Sequence, residues 1–204
     1  MKKLEDRKYK AERMQHTKGY DLDLPKCLKS EYFVREIKRS QKESSLYFDS
    51  GVFPLMLDYW QAVIDVNFLN RLKTINWQAI FQKLINSDES QQLSVLQNIV
   101  AIARYGLFLS LRQKYPYIKM IPNQEIDLVL HAHIADTYQF RLDSQNLFGT
   151  DLNHMTEVGK GGEVERQKWL QNFSYTHKIF EQNFGSGAMG SDVAACCEIL
   201  LDFA

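Results

Sequence analysis

The chain has 204 residues, 45% of them hydrophobic and 25% charged, and its 25 basic and 25 acidic residues leave no formal net charge. That composition fits a globular domain with a core of its own and excludes a disordered chain. The first fifty residues carry 13 Lys/Arg against 9 Asp/Glu, an asymmetry too small for a nucleic-acid-binding face.

Residues 1–50 read as a polar, partly helical N-terminal extension, broken near "GYDLDLPK", with "SEYFVREIKRSQKES" as a short helix. The alternating charges of "MKKLEDRKYKAER" suit a solvated helix. No apolar core of a secretory signal follows them, and no stretch reaches the roughly 18–20 apolar residues of a membrane span. The cysteines, Cys27, Cys196 and Cys197, are odd in number and build no disulfide framework, so a cytoplasmic location is expected.

Residues 51–72 place apolar side chains at helical spacing, with Pro54 acceptable in the first turn. A helix over 76–85 follows, with Asn76 as its cap, and then a long one over roughly 89–114 that ends at Tyr115 before Pro116. Asn123 caps the next helix, expected over about 123–147 and stopped at Gly149 by a left-handed C-cap. "MTEVGKGG" is a glycine-containing loop that lacks the Lys-Ser/Thr ending of a phosphate loop. A helix over 163–184 carries Trp169, Phe173, Phe180 and Phe184 on one stripe, with His177 in it, and the tail is expected to close with one more helix. The expected architecture is all-α: one irregular multi-helix bundle, a single domain over 1–204, around a central buried helix at about 123–147.

The chemistry concentrates in that helix, in "EIDLVLHAHIADTYQF" (125–140). Asp127 and His131 are four apart and share a face, whereas His133 lies on another face with Asp136 and Thr137. A buried carboxylate needs a partner. Three arrangements supply one: an imidazole N–H of His131, a metal ion shared by Asp127, His131 and a third group, or an Arg or backbone amides with each histidine satisfied in the core. Four of the five histidines fall between 131 and 177, and His154 follows the helix after the short stretch "GTDLN". A set of Asp127, His131 and His154, with His133 as an option, has the ligand types that suit Zn²⁺ or Fe²⁺.

The same residues carry a resemblance. The stretch from Tyr105 to Gly159 resembles the glycine-rich domain-containing protein family of plants and bacteria. That family's signature reads approximately Y-x-x-F-L-x-L, then P-S-x-E-[IV]-D-x-[VL]-W-H-x-H-I-L-x-T, then F-G-x-x-L-H-H. Glu125, Ile126, Asp127, His131, His133, Thr137, Phe148, Gly149, Leu152 and His154 follow it in order, and residues up to 185 are compatible. Leu130 stands where the family has Trp, Phe140 where it has Tyr, Ser144 where it has Cys, and Asn153 where it has the first of two paired histidines. The resemblance implies a retained Asp/His cluster with altered surroundings and transfers no reaction. Two functions follow as expectations: a divalent-metal-binding domain centred on Asp127, His131, His133 and His154, or a metal-free protein-interaction module in which these residues form a buried hydrogen-bond network.

Overall fold

The computed structural model describes residues 53–87, 93–191 and 193–202, so the extension over 1–50 and Cys27 lie outside the described residues. The segment expected as one helix over 51–72 is two, α1 (Phe53–Val63) and α2 (Val66–Leu72). Asp65 divides them, because its carboxylate accepts from the N–H groups of Asn67 and Phe68 and opens a new helix. Asn76 caps α3 (Trp77–Ile85) by accepting from Ala79 N at 2.9 Å. Ser94 and Gln97 form a capping box at the start of α4 (Val95–Lys114).

The central helix is α4, not the segment at 123–147. Every residue of α4 from Asn98 to Leu109 is buried, which an apolar run without a polar side requires. The segment at 123–147 is instead broken into α5 (Gln124–Ile134) and α6 (Thr137–Phe148). Asp136 makes the break: its carboxylate accepts from Gln139 N at 3.1 Å and starts α6 on a new axis. The left-handed Gly149, at φ 74°, ends α6 as expected.

The fold is also not purely α. β1 (Leu152–Thr156) pairs antiparallel with β2 (Cys197–Leu201), and α7 (Glu163–Phe184) lies between them in sequence. The expected terminal helix is therefore a strand. Its short apolar run "CEILL" finds backbone partners on both sides, pairing with β1 and, through Ile199 N to Met120 O at 3.0 Å, with the segment before α5. A second bridge joins Asn123 to Ala194, and the Asn123 amide donates to Met189 O at 2.8 Å. The start of α5 is thus held by the chain's C-terminal segment.

The core is aromatic where α1, α3 and α4 meet. Trp60 and Trp77 lie 5.0 Å apart between ring centroids, and Trp77 meets Tyr105 edge-on at 6.3 Å. Trp60 is fully buried, its indole N–H bonded to Ala103 O at 3.0 Å, and its ring occupies the space a side chain at Gly106 would need. Alanine is about 1 kcal/mol better than glycine inside a helix, but overpacking a filled core costs about 1–3 kcal/mol. Because the indole is fully buried and tied to Ala103 O, overpacking is expected to outweigh the helix-propensity gain. Gly106→Ala is expected to lower stability by about 1–2 kcal/mol in urea denaturation, and a stabilised variant would show that the indole moves.

Candidate metal centre

Asp127 stands in the first turn of α5 and His131 one turn later, so the helical repeat sets their carboxylate and imidazole side by side, Oδ2 to Nε2 at 3.7 Å. His154 arrives from β1. Because β1 is fastened to β2, and β2 to the residues before α5, the ribbon lies along the start of that helix. His154 Nε2 comes to 3.6 Å from Asp127 Oδ1, and the two imidazoles face each other edge-on at 5.1 Å. One donor atom from each of Asp127, His131 and His154 lies within 4.8 Å of the other two, the one such group of three among the described residues.

Burial grades across this group. The side chains of His154 and Asp127 are 12% and 17% exposed and that of His131 is 40% exposed, so the cluster opens to solvent on the His131 side. His154 Nε2 is buried, and its approach to Asp127 Oδ1, at 3.6 Å, is longer than an ordinary hydrogen bond, so the nitrogen is left without a close partner. Burial works against the Asp127 charge. The His154 imidazole and the Cys197 thiol beside it, together with His131, more than offset that and hold the carboxyl below its ordinary value.

Cys197 escapes a reading of spacing altogether. It lies 70 residues from Asp127, and its thiol donates to Asp127 Oδ1 at 2.9 Å. Burial, together with the Asp127 charge, pushes that thiol well above its usual range and keeps it protonated.

His133 is placed apart from the cluster, with both ring nitrogens engaged. Tyr105 Oη lies 3.0 Å from Nδ1, and Asp143 Oδ2 lies 3.0 Å from Nε2. Burial, then the Asp143 charge, raises the Tyr105 phenol far above its ordinary value. A protonated phenol donates to Nδ1, which leaves Nε2 to carry the hydrogen that Asp143 accepts. Gln139 donates to the other Asp143 oxygen at 2.9 Å. The partner is Asp143 rather than Asp136 because the turn at Ala135–Asp136 folds α6 back on α5; Asp136 instead faces Lys83 at 3.7 Å. A small cavity of about 190 Å³ opens over His133 and Asp143, walled by Asn76, Lys83 and Gln139.

The glycine loop before α7 builds no anion site. Gly159 N donates to the Glu165 carboxylate at 3.1 Å, and Glu163 and Glu165 fill the first turn, where an anion would meet like charge. His177 is half-buried beside Phe173, its Nε2 4.0 Å from Glu181. No helix among the described residues is long and apolar enough to cross a membrane.

No protein-family model, no curated protein and no solved structure matches the chain.

Proposed function

We propose that this is a divalent-metal-binding helical domain in which Asp127, His131 and His154 hold a Zn²⁺ or Fe²⁺ ion. The observation that carries the reading is the buried His154 nitrogen without a hydrogen bond, aimed at a carboxylate that a second imidazole also faces. Two imidazoles and a carboxylate are a ligand set these ions accept, at about 2.0–2.2 Å for zinc. His133 is outside the ligand set in this reading, because both its nitrogens are already used. It carries the alternative role considered for the whole cluster, a buried hydrogen-bond network that fixes packing.

We also read the chain as a divergent member of the glycine-rich domain-containing protein family. Support comes from Asp127, His131 and His154, signature positions from two separate elements that meet at one place. A cytoplasmic location is also proposed, which three cysteines without a disulfide framework suit. If the ion keeps an open position, it supplies Lewis acidity and a bound water of lowered pKa.

The test is elemental analysis of protein purified without chelator. Wild type is expected to carry near-stoichiometric zinc or iron, and Asp127→Ala and His131→Ala to carry little. Wild type that is metal-free after expression with both metals supplied would sink the proposal.

A further inference from the structure

We infer that this centre is open: the chain supplies three ligands, and the remaining position faces solvent on the His131 side and takes a small oxyanion, such as the carboxylate of a substrate. The inference rests on the metal reading of Asp127, His131 and His154.

The donor set is complete at three. Asp127 stands between the imidazoles and offers each a different oxygen, Oδ2 to His131 at 3.7 Å and Oδ1 to His154 at 3.6 Å. Two of the side chains come from neighbouring turns of α5 and the third from β1. Among the described residues no fourth His, Cys, Asp or Glu places a donor atom within the group, and the Cys197 sulfur stands outside it. Two nitrogens and one carboxylate oxygen fall one ligand short of a tetrahedron. Zinc sites of that kind give the fourth position to water or substrate, whereas structural zinc sites are closed by four cysteines and histidines.

The burial of the three side chains shows where the free position lies. His154 and Asp127 are the covered members, with the β1–β2 ribbon on their side, and His131 is the member in contact with solvent. A ligand therefore reaches the ion past His131 without any element having to move.

Charge sets the class of that ligand. A divalent ion with one carboxylate and two neutral imidazoles keeps one net positive charge. In a partly buried site that charge is screened less than in open solvent, so an anion is preferred to a neutral ligand of the same shape. Oxygen donors suit both zinc and iron. The chain's own part is to hold three positions and leave the fourth free, which makes the centre a place for an incoming molecule rather than a brace for the fold.

Cobalt(II) loaded into the reduced, metal-free full chain tests this, because its visible absorption follows the number and kind of its ligands. Acetohydroxamate, a two-oxygen anion, is expected to shift that absorption and to saturate at one per chain. Acetate should shift it as well. Acetamide, the uncharged counterpart, should need a concentration at least about tenfold higher, a modest share of the attraction between unit charges near a protein surface. Acetamide that acts as readily as acetate would overturn the preference for an anion. Cobalt bound through His131, as shown by its loss in His131→Ala, with an absorption that none of the three compounds moves, would overturn the open position and leave the metal reading standing. A thiolate-to-cobalt band in the near ultraviolet would do the same, because a cysteine would then fill the shell. A wild type that binds neither cobalt nor zinc would overturn both. The ligand responses are read on the wild type, and His131 is the most exposed of the three residues, so the test does not depend on a variant with a damaged core.

Discussion

Replacing His133 by alanine is expected to destabilise the fold by about 2–3 kcal/mol, the range for leaving a buried charged acceptor short of a hydrogen-bond donor. Asp143 is only 5% exposed, and without His133 its carboxylate would keep just the Gln139 amide as a hydrogen-bond partner among the described residues. Tyr105→Phe is expected to cost less, about 1–2 kcal/mol, because it leaves only the neutral Nδ1 without its donor. Since both losses pass through one imidazole, the double variant should cost less than the two singles added together. Urea denaturation in the presence of chelator measures all three. A His133→Ala variant within about 0.5 kcal/mol of wild type would show that water or a side-chain shift satisfies Asp143 instead.

Zinc is expected to stabilise the metal-free protein and to do so only through the other cluster. At a free concentration 100 times its dissociation constant, a ligand confined to the folded state adds about 2.7 kcal/mol. For a chain of this size that is roughly 5–10 °C in melting temperature. His154→Ala should melt at the same temperature with and without zinc, whereas His133→Ala should start lower and still respond. A zinc shift that survives His154→Ala would place the ion elsewhere. His154 and His133 are thus separable by experiment, one pairing with metal response and one with baseline stability.

Much of the helical content was legible from local chemistry. Asn76 and Asn123 cap the helices they were expected to cap, Tyr115 ends α4 ahead of Pro116, and Gly149 takes the left-handed conformation. The break inside 123–147 had a signal too, an aspartate followed three residues later by a glutamine, the form of an N-terminal cap at Asp136. It was masked by the apolar residues around it, which made the segment read as one buried helix. The same all-round apolar pattern in "NIVAIARYGLFLSL" marks the true centre, α4.

The ribbon was not legible, for a different reason. "LNHMT" and "CEILL" are too short for periodicity to separate strand from helix, and their pairing spans 45 residues. The site inherits that limit. Asp127 and His131 follow from helical spacing, but His154 reaches them only through strand pairing, and nothing in the spacing announces Cys197 or Asp143.

Because β2 both pairs with β1 and bridges to the residues preceding α5, the order of events during synthesis is constrained. Helices α1 to α4 make their contacts from segments that emerge early, while the cluster depends on β2, which is made after every other element described. Strand pairing between distant segments is slow compared with helix formation. Until then α5 lacks the backbone bonds at its start, and His154 has no strand to hold it against Asp127. If the proposed ion binds, its capture would be a late step, and it would mark chains that have been made through β2 and folded.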